Sequence, residues 1–118
     1  MPPRPTNPNF MNGVPELLIL GLLQHEEMYG YEIVQAIGNR TATVITLGEG
    51  VVYPALHTLE KSGALTARRR TVNGRSRIYY AATASGTRRF ADLSQSWLGL
   101  TQAVQLMLTG ANHGQTIS

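Results

Sequence analysis

Residues 64–82 read ALTARRRTVNGRSRIYYAA, and the Asn73-Gly74 pair at their centre decides the fold. A two-residue type I′ turn needs positive φ at both central positions, which Asn and Gly tolerate best, and its twist matches that of two antiparallel strands. The flanking segments, Ala64 to Thr71 and Arg75 to Ala82, are therefore expected to form a hairpin. With Asn73 and Gly74 as the turn, Leu65 pairs with Ala82, Ala67 with Tyr80 and Arg69 with Ile78 on a face able to cover a core. The other face sets Arg68 against Tyr79 and Arg70 against Arg77. Like charges directly opposite one another are destabilising, so either an anion lies close by or the two arginines splay into screened solvent.

Upstream of the hairpin the pattern turns helical. Val14 opens an apolar run in which Pro15 suits the first turn and Glu16 the positive end of the dipole. Leu17 to Leu23 leave no polar face, so this helix needs cover on more than one side. His25 to Glu27 break the run, and Gly30 opens a second helix, Tyr31 to about Asn39, with Ile33, Val34 and Ile37 at helical spacing. Residues 41–50 mix β-branched residues with Gly48 and Gly50 and read as a turn. Pro54 is tolerated only near a helix start, so the third helix is expected to begin at about Gly50 to Val52, with Gly63 as its C′ residue. Val52, Leu56 and Leu59 share one face, which directs Tyr53, His57 and Lys61 to the exposed side as a candidate reading surface. Gly50 either admits a phosphate close to free backbone N–H groups or simply serves the turn.

Downstream, Thr83 is a candidate N-cap for a long helix from Ala84 to about Leu108, closed by Gly110. Phe90, Leu93, Trp97, Leu100, Val104 and Met107 follow at alternating intervals of three and four, a heptad seam that asks for another helix. Packing against residues 17–23 of the same chain would satisfy part of it. Pairing of two chains about a two-fold axis, with Leu18 and Leu22 of the first helix joining the seam, satisfies both surplus apolar surfaces together.

Composition narrows the function. The chain has 118 residues, no cysteine, ten Lys plus Arg against seven Asp plus Glu, and a net charge of +3. One small domain fits that length, and the lack of Cys removes disulfide frameworks and thiolate metal sites. Six of the seven acids lie before residue 61, while eight of the ten bases fall in residues 61–89, a window holding no acid. Such a localised cationic surface is the footprint of a polyanion partner, or more simply a solvated basic face. No cofactor is implied. The sequence has no G-x-S-x-G elbow, no P-loop and no metal-ligand spacing among His25, His57 and His113, which argues against an enzyme. The apolar run at Leu17 to Leu23 is too short to span a membrane, and the proline-rich start is unlike a secretory leader, so the cytoplasm is the expected location.

The assembled expectation is a mainly α (α+β) chain: a winged helix-turn-helix domain with a two-stranded wing and one long C-terminal dimerisation helix. Residues 1–12 form a flexible arm, 13–83 the DNA-binding domain, 84–109 the dimerisation helix and 110–118 a flexible tail. Tyr53 and His57 would meet base edges or phosphates from the third helix, while the wing arginines neutralise phosphates without reading sequence. A winged helix used as a protein-docking module without specific DNA binding is the alternative.

Three stretches also resemble the PadR-like transcriptional regulators: ELLILGLLQHEEMYGYEIVQAI at 16–37, GVVYPALHTLEKSGAL at 50–65 and GRSRIYYAATASGTRRF at 74–90. The resemblance implies a homodimer that binds an operator in double-stranded DNA, usually as a repressor, and often responds to a small ligand. It implies DNA-facing roles for Tyr53, Pro54 and His57 and, at the wing tip, for Gly74, Arg75 and Arg77, to which the charge argument adds Arg68 and Arg70 and the open helix start adds Gly50. The single helix after the wing is similar to the subfamily with a short C-terminal part. Some relatives of that kind bind flat aromatic or phenolic compounds between the final helices, where Trp97 either stacks on such an effector or only fills the seam.

Overall fold

The computed structural model describes residues 7–110, so the first half of the expected arm (1–6) and nearly all of the expected tail (111–118) lie outside the described residues. Of the arm, Pro8–Phe10 form one turn of 3₁₀ helix, and the half-buried Met11 packs against the core. Helix α1 spans Val14–Leu22 with Pro15 in its first turn, as its missing N–H allows. Strand β1 (Met28–Tyr29) leads directly into helix α2 (Gly30–Arg40), and helix α3 covers Glu49–Lys61. Strands β2 (Leu65–Val72) and β3 (Arg75–Ala82) form the hairpin, and helix α4 runs over Ala84–Thr109.

The hairpin has the register expected from its turn. Asn73 and Gly74 both take positive φ, 53° and 78°, and Leu65 pairs with Ala82, Ala67 with Tyr80 and Arg70 with Arg77. The two-stranded wing is part of a larger sheet: β1 adds to the free edge of β3, pairing Met28 with Tyr80 and Tyr29 with Tyr79, and gives the order β1-β3-β2. Two residues show no alternation to read, so only the assembled edge reveals this strand.

Ile19 and Leu20 of α1, Ile33 and Ile37 of α2, Val52, Leu56 and Leu59 of α3, and Leu65 and Tyr80 of the sheet make one buried cluster. Helix α3 begins at Glu49, slightly earlier than Pro54 suggested. Gly63, with φ at 86°, ends it and turns the chain into β2. Thr83 then ties two elements together. Its hydroxyl donates to the Gly63 carbonyl (2.6 Å) and accepts from the Gly86 N–H (3.0 Å), so the cap of α4 is anchored to the end of α3.

Candidate nucleic-acid interface

Helix α3 buries Val52, Leu56 and Leu59 and leaves Gly50, Pro54, His57 and Lys61 exposed. Tyr53 departs from the outward direction read from the helical spacing. It is half-buried, and its ring folds onto Gly30, where a β-carbon would overlap it. The tyrosine sits beside Val52 at the rim of the buried stripe, and a large ring there gains more by covering the start of α2 than by standing in water. Tyr53 and His57 thereby line a groove of about 420 Å³ together with Gly30 and Tyr31 of α2 and Arg77 and Ile78 of β3. Helix α3, the N-terminus of α2 and strand β3 thus meet at one concavity.

The outer face of the sheet holds the arginines in a defined array. The Arg77 guanidinium lies 4.3 Å from the Tyr29 ring centroid, and that of Arg70 lies 4.4 Å from the Tyr79 centroid. The two rings meet edge to face, 5.4 Å apart at 71°. Such cation–aromatic contacts contribute about 0.5–1 kcal/mol each when exposed, enough to bias side-chain direction. Neither arginine therefore splays freely into solvent. The anion that this face calls for is Glu27, just before β1. Its carboxylate accepts from Arg68 at Nη2 (2.7 Å) and Nε (3.2 Å), with Arg70 Nη1 at 3.7 Å. The bonds from Arg68 hold the Glu27 carboxyl below the ordinary carboxylate range and push the Arg68 guanidinium up.

The remaining cations divide. Arg75 is exposed beside the turn and Gly74 is exposed within it, while Arg69 donates to the Ser76 hydroxyl at 3.2 Å. Arg89, one of the eight bases of the cationic window, is a structural clamp: its Nε lies 2.6 Å from Glu16 of α1, and its Nη1 donates to Ser62. Tyr80, beneath the groove, has its phenol pKa pushed up by burial, with Glu60 and Tyr53 adding to the effect.

The α4 seam is split by the lengths of the helices. Phe90 and Leu93 are half-buried within the chain itself, Phe90 lying directly over Gly21 of α1, and Leu22 is buried in the core. Leu22 and Phe90, expected at a subunit interface, are thus largely used within the chain, and Leu18 is half-buried beside them. Nine residues of α1 extend about 14 Å, whereas the 26 of α4 extend about 39 Å, so α1 is too short to cover α4 and leaves its second half open. Beyond it Trp97, Leu100 (59% exposed), Val104 and Met107 (82% exposed) face outward. Leu98 and Leu108 are exposed as well, off the seam, and widen the apolar surface beyond the heptad stripe. Between α1, α2 and α4 an apolar groove of about 380 Å³ is lined by Leu18, Leu22, Phe90 and Trp97, with Arg40 at its edge. A smaller one of about 190 Å³ on the other side of Trp97 involves Leu17, Leu93 and Leu100.

Among the described residues no cluster of His, Cys, Asp and Glu is placed to hold a metal, and no helix is long and apolar enough to cross a membrane.

Comparison with known proteins decides the family. The model of the transcriptional regulator PadR-like family matches residues 19–92, more than half of the chain and all of α2, α3 and the sheet. The chain belongs to the PadR-like family. One relative of this PadR-like chain, named transcriptional regulator Rv3488, from Mycobacterium tuberculosis, is 31% identical over 104 residues, covering 88% of this chain and 92% of its own length. An uncharacterised protein from Lysinibacillus sphaericus is 30% identical over 103 residues, covering 86% of this chain and 94% of its own length. Among solved structures, a PadR-like transcriptional regulator from Bacillus cereus superimposes with a TM-score of 0.75 at 29% identity, covering 85% of this chain and 96% of that one. The Streptococcus mutans protein smu.1704 gives 0.77 at 29% identity, covering 91% and 93%. The chain is accordingly a transcriptional regulator of the winged-helix type, a class of proteins that are not in general enzymes.

Proposed function

We propose that this PadR-like regulator acts as a homodimer on an operator in double-stranded DNA, as a cytoplasmic repressor released by a small aromatic effector. The observation that carries the DNA reading is the groove in which His57 and Tyr53 of α3 face Arg77 of the wing. Exposed α3 residues supply contacts to base edges, Arg77 and Arg75 supply phosphate contacts, and the exposed Gly50 leaves the first turn of α3 open to a phosphate. Apart from the adjoining backbone of α3, no atom lies within 4 Å of the place a β-carbon at Gly50 would take, so packing does not require glycine there.

The dimer reading is supported by the uncovered half of α4, where Trp97, Leu100, Val104 and Met107 expose an apolar surface that a second copy would cover. Two copies related by a two-fold axis would also set two α3 helices to half-sites about 34 Å apart. The effector reading rests on Trp97, which borders both apolar grooves and offers a broad face for a planar ligand.

Footprinting on the DNA flanking the protein's own gene tests the proposal. A discrete protected site with two-fold symmetry, resistant to a random-sequence competitor, is the expected result. Equal binding to all duplexes, or none at low salt, would favour a protein-docking module instead. Trp97 is the chain's only tryptophan, so quenching of its fluorescence by a planar phenolic probe, with release of the footprint, tests the effector.

A further inference from the structure

The wing arginines differ in what already holds them. Arg75 is exposed beside the hairpin turn, and Arg77 lies over Tyr29 at the rim of the α2–α3 groove. Arg68 and Arg70 share one carboxylate. Glu27 takes two hydrogen bonds from Arg68, at 2.7 and 3.2 Å, and lies 3.7 Å from Arg70. This two-pronged fork is the geometry a guanidinium uses for carboxylate and phosphate alike. The contact is placed by the sheet: pairing of Tyr29 with Tyr79 fixes the edge that Glu27 precedes, and Arg68 is the register partner of Tyr79. The array is also continuous. It leads from Arg77 at the groove, across Tyr29 and Tyr79, to Arg70 and then to Glu27 with Arg68.

We infer that Glu27 limits binding to non-operator DNA by occupying Arg68, with Arg70 only alongside, as an internal carboxylate that a phosphate has to displace. The inference rests on the reading that the wing contacts duplex DNA. Non-specific affinity comes almost wholly from phosphates neutralised and counterions released, so each arginine withheld from the duplex lowers it. Arg68 is 64% exposed and Glu27 26%, so water reaches both partners and an exchange of carboxylate for phosphate costs little. An operator that gains base contacts from α3 drives the exchange, whereas an arbitrary duplex gains no such contacts and leaves the ion pair closed.

The test is Glu27→Gln, which keeps the side chain's shape and removes its charge, assayed against a mixed-sequence duplex of about three helical turns. Affinity at low salt should rise several-fold, and the slope of log affinity against log salt should steepen by about 0.9, one further phosphate. The double variant Glu27→Gln/Arg68→Ala should return to the original slope. Urea midpoints of both variants close to the parent confirm that the fold is kept, since an exposed ion pair adds little stability. Unchanged or weaker binding by Glu27→Gln overturns the inference while leaving the DNA reading intact, and so does a double variant that keeps the gain. Absence of duplex binding by the unmodified chain overturns the DNA reading and this inference with it.

Discussion

Gly30 makes room for Tyr53: the tyrosine ring occupies the space that a side chain at the first residue of α2 would need. Gly30→Ala therefore sets two effects against each other. Relief of backbone entropy in the unfolded chain favours alanine by about 0.4–1 kcal/mol, while overpacking against a ring costs about 1–3 kcal/mol. The net expectation is a loss of about 1 kcal/mol in urea unfolding, and the loss should disappear when Tyr53 is alanine too. A Gly30→Ala cost that persists without the Tyr53 ring would show that the two are not coupled.

Acid should weaken the Glu27 contact in a defined direction. Its carboxyl titrates below the ordinary range because Arg68, and secondarily Arg70, stabilise the charged form. The stabilisation is present above the unfolded value, about 4.3, and is lost as pH falls through the lower folded value. Thermal midpoints followed downward from pH 5 should fall less steeply for Glu27→Gln than for the parent, and the difference should shrink in high salt. Parallel curves would mean that the ion pair does not survive in solution.

The wing and α3 should separate in their effects on binding. Arg77→Ala and Arg75→Ala each remove a phosphate contact, so log affinity should lose about 0.9 of its salt slope on operator and random duplex alike. His57→Ala should instead cost the footprinted site more than random DNA, by about 1–3 kcal/mol. Identical losses on both duplexes would remove α3 from the discriminating role.

Leu100→Asp puts a charge into the uncovered half of α4. The side chain is 59% exposed in one subunit, so the subunit's own core is untouched and its fold should survive. Sedimentation should show a monomer where the parent is a dimer, because a charge left unpaired at an apolar interface costs several kcal/mol. A variant that still sediments as a dimer would place the interface elsewhere.

What the sequence alone determined is what depends on near neighbours. The Asn73-Gly74 turn, the Thr83 cap, the buried stripe Val52–Leu56–Leu59 and the α4 periodicity all follow from local φ preferences and spacing, and the structure carries each of them. The family resemblance is legible for the same reason, being written in contiguous stretches. Strand β1, the inward turn of Tyr53 and the pairing of Glu27 with Arg68 were decided only in three dimensions. Arg68 and Glu27 stand 41 positions apart, and nothing in a run of like charges says which distant carboxylate will answer it. The folded sheet supplies that answer, because an edge strand placed by hydrogen bonds to β3 brings its flanking carboxylate within reach of two guanidinium groups.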